Sequence, residues 1–332
     1  MPSKFLFSLL PCVRMVETES SFLKNGSILL EDLIASCEGK SSPIRTYSAD
    51  ELVKATNNFD PSFIISEDLS FKLFRGLLDD RSIIIKKYLH WPSEAEARSM
   101  AIRDIIISMQ MSTHKNALKL SGCCLEFSLP ALVHEDAAKG ALDCHGGLGD
   151  TRSLPWKTRL LIATKVAHAL AYLHTTFPRP VIHRDLKPTC IFLDDNYSPK
   201  LSNFSLSITI PPKQFHVEDV VKGTYRYTDP TYIATVYITE KTDVYSFGVL
   251  LLVFLMGQKI RVVDKSAVVE DLTSYVDANI LRELRADEQA QQQLQAFLAL
   301  ALLCTQDGRE SRPCMTDVAK ELVRIEKSIL HC

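Results

Sequence analysis

The spacing of apolar residues changes character along the chain and predicts two structurally different regions. Between residues 48 and 134, short apolar runs alternate with turn-forming residues, a pattern typical of β-strands. Beyond residue 150, apolar residues recur at i, i+3 and i+4, which indicates amphipathic and buried helices. The pattern therefore predicts an α+β protein with a small β-rich region and a larger, mostly helical one.

The strands of the first region are predicted from apolar runs at residues 63–65, 71–74, 83–85, 118–124 and 129–134. Residues 78–81 contain two adjacent aspartates, which suit a tight turn, so the runs on either side are expected to form a hairpin. One helix, residues 94–111, is predicted within this region, between the third and fourth runs.

Two further helices are predicted before the first strand. Ser48 and Glu51 have the spacing of a capping box, which predicts a helix that ends near Asn57. Upstream, residues 17–47 are expected to hold an amphipathic helix at residues 26–36. Its apolar stripe comprises Ile28, Leu29, Leu30, Leu33 and Ile34. We favour packing of this helix on the domain that follows, with a partner-binding role as the alternative.

The second region begins with a loop and continues with helices. Four glycines predict a flexible loop that extends to Arg152, namely Gly140, Gly146, Gly147 and Gly149. A long helix is predicted at residues 156–174, and a helix that is apolar on all sides within residues 239–257. Two more core-facing helices are predicted around residues 294–302 and 318–325.

Composition narrows the possible functions. The 332 residues are 46% hydrophobic and 23% charged, with a net charge of -2, which argues against a nucleic-acid surface. Nine cysteines without a CxxC pair indicate thiols in a reducing compartment, and Cys123 and Cys124 are not expected to bind a metal. The apolar run at residues 247–256 is about ten residues long, too short to cross a bilayer. We therefore expect a cytoplasmic protein without a transmembrane segment.

The candidate chemistry centres on residues 181–205. His183, Arg184, Asp185 and Lys187 resemble the catalytic loop HRDLKxxN of eukaryotic protein kinases, and residues 203–205 take the place of the DFG segment. This resemblance implies a bilobal protein-kinase fold. It would consist of an N-terminal extension at residues 1–47, an N-lobe at 48–134 and a C-lobe at 135–328. The activation segment would lie at about residues 203–231.

Two positions that handle metal in kinases are altered. Cys190 stands where the loop has asparagine, and Asn203 stands where DFG has aspartate. Mg²⁺ prefers carboxylate and carbonyl oxygens, whereas a thiol is a soft ligand and an amide carries no charge. If each lost electrostatic group costs on the order of 10²–10³ in rate, the two together cost roughly 10⁴ or more. The sequence predicts impaired catalysis, with Asp185 as a vestigial base and Lys187 beside the phosphoryl group.

The resemblance also places the nucleotide site. The three glycine positions of the phosphate lid fall on Ser66, Asp68 and Phe71, and none of them is glycine. Lys86 occupies the position of the phosphate-binding lysine, and its partner would be Asp104, either as an ion pair or as a solvated carboxylate. Glu135 lies in the link between the lobes. We predict that no cofactor is required, that ATP binds weakly at most, and that Mg²⁺ is not held.

Several structural roles follow from the same resemblance. His183, Arg184, Asp243 and Arg312 are expected to be structural, with Asp243 holding the catalytic-loop backbone. Thr231 replaces a glutamate that pairs in kinases with the arginine at position 312, so we expect the activation segment to be anchored more loosely. Four residues of this segment are candidates for partner binding, namely Gly223, Thr224, Tyr225 and Tyr227.

The family resemblance can be narrowed further. The sequences ATNNF at residues 55–59, GCCLE at 122–126 and DVYSFG at 243–248 resemble plant receptor-like kinases of the wall-associated type. With no ectodomain or transmembrane helix expected, the chain is similar to receptor-like cytoplasmic kinases. KNGS at residues 24–27, together with the altered lid and loop, resembles the ZED-related kinases (ZRK proteins), which are mostly pseudokinases.

That resemblance implies a role in plant immunity. The protein would be an adaptor that links a coiled-coil nucleotide-binding leucine-rich-repeat (NLR) receptor to receptor-like cytoplasmic kinases modified by a bacterial effector. Through these partners it would associate with the plasma membrane. The alternative is a slow, ATP-dependent Ser/Thr kinase, which the retained Lys86, Asp185, Lys187 and Asp243 favour.

Overall fold

The structure, a computed structural model, describes residues 10–37, 44–149, 153–258, 275–284 and 288–327, which fall into two units. The first unit comprises Met1–Thr113 and Leu118–Asp136, and the second comprises His114–Ala117 and Ala137–Cys332. Among these residues, a six-stranded sheet forms the first unit together with three helices, whereas the second unit is mostly helical. The predicted α+β class, with a small β-rich lobe and a larger helical lobe, is therefore confirmed.

The first unit is built on a six-stranded sheet whose order is β1-β5-β6-β4-β3-β2. Its strands are β1 (Arg45–Thr46), β2 (Ile64–Glu67), β3 (Phe71–Leu78), β4 (Arg81–Tyr88), β5 (Leu120–Cys124) and β6 (Ala131–Glu135). The predicted hairpin joins β3 to β4 through Asp79 and Asp80, whose positive φ angles of 50° and 59° form the tight turn. All five predicted strands are present.

Two helices cover this sheet. Helix α2 (Ala49–Ala55) begins with the predicted capping box of Ser48 and Glu51 and buries Leu52 against the sheet. Helix α3 (Glu94–Gln110) packs against β4, β5 and β6. Because residues 83, 84 and 85 of β4 are all buried, the sheet is covered on both faces, which explains the unbroken isoleucine run.

The edge of the sheet accounts for the glycine of the GCCLE motif. Strand β1 lies parallel to β5, with Arg45 beside Gly122, and the Tyr47 amide donates to the Cys123 carbonyl at 2.8 Å. A Cβ on Gly122 would stand 2.6 Å from Cε2 of Tyr47 and would also collide with the Arg45 carbonyl. Only glycine allows this close approach of the N-terminal segment to the sheet.

The N-terminal helix is longer than predicted. Helix α1 spans Leu10–Cys37, whereas the sequence predicted a start at Gly26. Asn25 is fully buried, and its amide donates to the carbonyls of Leu125 and Phe127, each at 2.9 Å. This tertiary anchor offsets the cost of about 1 kcal/mol for a glycine inside a helix, so Gly26 does not start the helix.

The favoured packing of α1 on the following domain is confirmed, but only part of the predicted stripe, Ile28, Leu29 and Leu33, is buried or half-buried. Arg98 of α3 donates to the Asn25 side chain at 2.9 Å, and Leu29 is buried. Leu30 and Ile34, which the prediction placed in the stripe, are both 59% exposed. The remaining parts of the predicted extension, residues 1–9 and 38–43, lie outside the described residues.

The second unit is mostly helical. Its helices are α4 (Trp156–Thr175), α5 (Pro230–Thr235), α6 (Glu240–Met256), α7 (Ala278–Glu283), α8 (Glu288–Cys304) and α9 (Met315–Lys327). Its short strands are β7 (Gly140–Ala141), β8 (Val181–Ile182), β9 (Ile191–Leu193), β10 (Pro199–Leu201), β11 (Ile208–Thr209), β12 (Val217–Glu218) and β13 (Tyr237–Ile238). The predicted glycine-rich loop is partly ordered, because β7 pairs with β9, and its predicted end at Arg152 lies outside the described residues.

Helix α6 is the buried centre of the second unit. The predicted all-round apolar character is confirmed, since every residue from 246 to 255 is buried. Gly248 permits close packing on α8, because a Cβ there would stand 2.7 Å from Cβ of Cys304. Across the described ranges, no helix combines the length and apolarity that crossing a bilayer requires.

Candidate functional site

The predicted site residues are divided between the two units, with the catalytic loop in the second. This loop runs from β8 to β9 and is tied to α6 by Asp243, whose carboxylate accepts the backbone amides of His183 at 2.7 Å and Arg184 at 2.8 Å. His183 Nε2 donates to the Ser202 carbonyl at 3.0 Å. Both residues therefore hold the loop backbone in place, as the sequence predicted.

Asp243 is an anion inside the core. Burial would raise the pKa of Asp243, but the hydrogen bond from His174 at 2.9 Å and the loop amides outweigh it, so the pKa lies below its usual value. The carboxylate therefore remains charged at neutral pH and orients the catalytic loop. Its contact with His174 gives that histidine a structural role.

The base position is fixed by the activation segment. Oδ1 of Asp185 accepts from the amide and hydroxyl of Thr224, at 2.8 and 2.7 Å, and Oδ2 lies 3.1 Å from Nζ of Lys187. Lys187 also donates to the Thr224 hydroxyl at 2.9 Å. Gly223 has φ of 124°, and a Cβ there would lie 2.9 Å from the Arg184 carbonyl, so only glycine suits this crossing.

The four partner-binding candidates differ in their exposure: Gly223 and Tyr225 are exposed, Thr224 is half-buried and Tyr227 is buried. Gly223 and Thr224 contact the catalytic loop, and Tyr227 is buried at 5% exposure. Burial raises the pKa of Tyr227 well above its usual value. Tyr225 alone of the four extends a large side chain into solvent, at 82% exposure. The sequence could not show which of the four side chains are exposed, because buried and exposed positions do not alternate with a fixed period in an irregular segment.

The two altered metal positions contact each other. The Asn203 amide donates to Sγ of Cys190 at 3.7 Å, and its Oδ1 accepts from the Ser205 hydroxyl at 2.9 Å. The Cys190 thiol is buried and donates to the Asp185 carbonyl at 3.3 Å. A neutral thiol and an amide whose N–H faces that thiol do not fit Mg²⁺, which requires hard oxygen ligands. The part of the chain that the structure describes also holds no group of three or more His, Cys, Asp or Glu side chains suited to a metal.

The first unit contains the predicted nucleotide-binding residues. Ser66 lies on β2, and Asp68 and Phe71 close the turn into β3, where the Asp68 amide donates to the Phe71 carbonyl at 2.9 Å. The Asp68 carboxylate accepts from the Leu69 amide at 2.7 Å. The lid is therefore an ordinary hairpin that carries side chains at each position where a phosphate lid has glycine.

Lys86 and Asp104 form a buried ion pair. The sequence left open an ion pair or a solvated carboxylate, and the structure places Lys86 Nζ 2.6 Å from Asp104 Oδ2, with side-chain exposures of 4% and 1%. The Tyr88 hydroxyl also donates to Asp104, at 2.8 Å. Burial would raise the pKa of Asp104, but the charge and hydrogen bond of Lys86 lower it below its usual value. A solvated Asp104 is thereby excluded.

Three side chains lie near this pair in an arrangement that the sequence did not predict. Nζ of Lys86 lies 4.0 Å from the ring centroid of Phe71 and 5.0 Å from that of Tyr88. His134 on β6 is buried, and burial lowers its pKa to about 4, so its ring is neutral at pH 7. Because side chains alternate between the two faces of a strand, the sequence could have placed Tyr88 on the same face as Lys86. It could not place Phe71 beside them, because that requires knowing how β3 pairs with β4.

Glu135 ends β6, as the last residue of the predicted link. Its carboxylate pairs with Lys119 at 2.8 Å, with both side chains more than half exposed, and its amide donates to the Lys119 carbonyl at 3.1 Å. Such an exposed pair contributes little to stability, about 0–1 kcal/mol. Its backbone pairs with Ile83 of β4 inside the sheet, and its side chain faces solvent.

The expected loosening of the activation segment is wrong. Arg312 does not lack a carboxylate, because its two terminal nitrogens lie 2.8 Å from the two oxygens of Asp229, with both side chains fully buried. Thr231 adds a hydrogen bond to Arg312 at 3.3 Å. An aspartate two residues upstream thus substitutes for the glutamate that Thr231 replaces, and this buried ion pair, with one hydrogen bond from Arg312 to Oδ1 of Asp229, anchors the segment.

A second ion pair holds the middle of the same segment. Arg184, buried at 5% exposure, donates to Asp219 at 2.8 Å and to the Tyr232 hydroxyl at 3.1 Å. In kinases, an arginine of this kind orders the segment by binding a phosphorylated residue. Here a carboxylate of the chain occupies that position. The sequence analysis missed Asp219, because a single acidic residue 35 positions away from Arg184 carries no local signal.

The segment fixed by these pairs exposes apolar side chains. We define the activation-segment surface by its most exposed apolar residues: Phe215 (89%), Val220 (62%), Val221 (44%) and Tyr225 (82%). Neighbouring residues hold the backbone here: His216 stacks on Tyr237 of β13, Asp219 pairs with Arg184, and Thr224 donates to Asp185. All four lie within residues 215–225, and exposed apolar side chains that form one patch mark surfaces suited to protein contacts.

Comparison with known proteins adds to this geometry. Residues 72–322 match the family described as "Protein tyrosine and serine/threonine kinase". The Arabidopsis thaliana protein "Non-functional pseudokinase ZED1" is 46% identical, over 92% of this chain and 96% of its own length. "Serine/threonine-protein kinase ZRK1" from the same plant is 42% identical over 93% of each chain. "Wall-associated receptor kinase 1" is 35% identical over 93% of this chain and 43% of its own length.

Proposed function

This chain belongs to the protein kinase family, within the group of ZED1 and the ZRK proteins, and from that premise we propose that it is a catalytically impaired pseudokinase that acts as an adaptor. In this role it links a coiled-coil NLR receptor to receptor-like cytoplasmic kinases that an effector has modified, in the cytoplasm of plant cells. Its relatives include proteins named as kinases and as non-functional pseudokinases.

The contact between Asn203 and Cys190 carries the proposal. A kinase needs oxygen ligands there for the metal ions that neutralise the phosphates. In this chain the amide N–H of Asn203 points at the thiol of Cys190, and Oδ1 is engaged by Ser205. Rebuilding a metal site would require breaking these contacts and would still leave a thiol in place of an oxygen ligand. Loss of phosphoryl transfer is the expected consequence.

The activation-segment surface supports the adaptor role. A protein without turnover acts through what it binds, and this surface presents Phe215, Val220, Val221 and Tyr225 to solvent. The pairs of Arg184 with Asp219 and of Arg312 with Asp229 hold the segment without a phosphate group. A surface fixed in advance loses less conformational entropy on binding, which favours affinity for a partner.

A slow Ser/Thr kinase is the second candidate. Asp185, Lys187 and Thr224 form a connected set of hydrogen bonds, so the groups that meet the substrate hydroxyl keep an ordered geometry. This observation favours residual activity, although the metal positions oppose it. The two candidate functions differ in one respect: a slow kinase would use Asp185 as its catalytic base, whereas an adaptor would not.

Phosphate transfer from ATP, with Mg²⁺ or Mn²⁺, distinguishes them. We expect the wild-type protein to label itself and a generic Ser/Thr substrate no faster than the Asp185→Ala variant. The paired substitutions Cys190→Asn and Asn203→Asp should raise metal-dependent transfer if these positions limit it. Turnover by the wild type that disappears in Asp185→Ala would reject the pseudokinase and establish the second candidate.

The adaptor role requires its own test. Co-precipitation with purified plant receptor-like cytoplasmic kinases and coiled-coil NLR receptors should detect specific pairs. The Val220→Asp variant, at 62% exposure, should lose the kinase partner, whereas the Leu77→Asp variant, at 61% exposure on β3, serves as the matched control. Equal losses in both variants, or binding to no member of either class, would contradict the adaptor proposal.

A further inference from the structure

We infer that Phe71 closes the phosphate-binding face of the first unit by covering the ammonium of Lys86, so that anionic ligands do not reach this lysine. The inference deepens the proposed function and rests on it, because it names the residue that removes phosphate recognition. Lys86 is then a structural cation of the sheet, and Phe71 determines which ligands this part of the protein rejects.

The strand register brings the three side chains together. Phe71 pairs with Tyr88 across β3 and β4, and their ring centroids are 6.2 Å apart at an interplanar angle of 60°. Lys86 precedes Tyr88 by two residues on the same strand, so both side chains extend from the same face of the sheet. The ammonium is consequently held between two aromatic rings and the carboxylate of Asp104.

The aromatic rings occupy the space beside the ammonium of Lys86 and would repel an approaching phosphate. An ammonium 4.0 Å from an aromatic centroid is attracted to the negative face of the ring. A phosphate that approached Lys86 from that side would meet the same negative face and would be repelled. Asp104, at 2.6 Å, neutralises the remaining charge, so the buried pair offers no net positive field to an anion.

The position of Phe71 in the sequence explains why one residue has this effect. Phe71 stands at the third lid position, where a phosphate lid has glycine and the absence of a side chain leaves room for phosphate. It is 7% exposed, whereas Leu69 in the same turn is 68% exposed and does not cover the ammonium. Leu69 therefore provides a matched control in the same hairpin.

The accessibility of Lys86 tests the inference without requiring a bound nucleotide. Full-length wild type, Phe71→Gly and Leu69→Gly would be acetylated briefly with the anionic reagent sulfo-N-hydroxysuccinimidyl acetate, and acetylation at each lysine measured by mass spectrometry. We expect Lys86 to be modified at least tenfold faster in Phe71→Gly than in the wild type, and Leu69→Gly to match the wild type. Lys87, half-buried on the same strand with its ammonium 3.9 Å from the ring centroid of Phe59, reports whether the first unit of each variant remains folded.

A thermal-shift titration with ATP and with adenosine, both without metal, supplies the second readout. We expect the wild type to show no preference for ATP over adenosine, and Phe71→Gly to prefer ATP by about tenfold, a preference that Lys86→Met removes in that background. Rapid acetylation of Lys86 in the wild type, or no change in Phe71→Gly by either readout, would overturn the inference.

These outcomes separate the inference from the proposed function. A wild-type protein that prefers ATP through Lys86 but fails to transfer phosphate would refute the cover by Phe71 and leave the adaptor role standing. A wild type whose Lys86 is protected but which binds no receptor or kinase would refute the adaptor role and leave the cover by Phe71 standing.

Discussion

The buried pair of Arg312 and Asp229 gives the sharpest prediction about the activation segment. Replacing Asp229 with asparagine preserves the shape of the side chain and removes its charge. Arg312, fully buried, would then retain only carbonyl and hydroxyl acceptors such as the Gln306 carbonyl at 2.7 Å. Uncompensated buried charge is among the most destabilising changes that one substitution can introduce.

The magnitude follows from the burial of the pair. Breaking a buried ion pair by removing one partner costs about 3–5 kcal/mol. For a unit of this size, each kcal/mol lowers the melting temperature by about 2–4 °C, so the Asp229→Asn variant should melt roughly 6–20 °C below the wild type. The Thr231→Val control removes two neutral-acceptor hydrogen bonds, the one from Arg312 at 3.3 Å and the one to the Asp307 carbonyl at 3.2 Å, and should cost less than Asp229→Asn, about 0.5–1.5 kcal/mol for each bond.

Thermal unfolding followed by circular dichroism would measure both variants, and limited proteolysis would report on the activation segment. Cleavage within residues 203–231 should accelerate in Asp229→Asn and remain near the wild-type rate in Thr231→Val. The reasoning would be refuted if Asp229→Asn cost less than about 1 kcal/mol, or if Thr231→Val cost as much as Asp229→Asn, because Arg312 would then be anchored by its neutral acceptors.

Three further predictions concern other sites. In the Gly122→Ala variant a Cβ would stand 2.6 Å from the Tyr47 ring, so β1 should be displaced and the free energy of unfolding should fall by about 1–3 kcal/mol. Hydrogen exchange of the Tyr47 amide should become faster, and an unchanged exchange rate would contradict this prediction. In the Gly248→Ala variant the Cβ would overlap Cys304, so the free energy of unfolding, measured in urea, should fall by about 1–3 kcal/mol. An unchanged free energy of unfolding would mean that α8 shifts to accommodate the methyl group. Burial lowers the pKa of His134 to about 4, whereas in the unfolded chain it is about 6.5, so between these pH values only the unfolded chain binds the proton. The free energy of unfolding should therefore be highest above pH 6.5 and fall by roughly 3 kcal/mol toward pH 4. Measured over the same pH series, the His134→Gln variant should lack this decrease.

Much of the fold could be read from local patterns. The capping box of Ser48 and Glu51, the Asp79–Asp80 turn and the apolar helix α6 all depend on residues within a few positions of one another. Helix α1 was predicted too short because Gly26 was interpreted as a boundary. The long-range anchor of Asn25, a hundred residues from Leu125, lay beyond any local pattern.

The candidate site divides in the same way. The identities of Cys190, Asn203 and Phe71 are enough to predict a loss of metal and phosphate recognition, because each side chain differs in chemistry or size from the residue that kinases have at its position. The contacts that replace those functions do not follow from identity. Thr231 indicated a missing anchor, but the carboxylate that meets Arg312 belongs to Asp229, for which no local pattern indicated a role.

By itself, the sequence determined most of the long elements and which catalytic positions carry altered residues, because periodicity, capping and the chemistry of a side chain are local properties. Only the tertiary structure decided which charges meet. Arg184 with Asp219 and Arg312 with Asp229 join residues 35 and 83 positions apart, and Lys86 meets Phe71 through strand register. Such pairings depend on how distant segments pack, which no pattern within a few residues records.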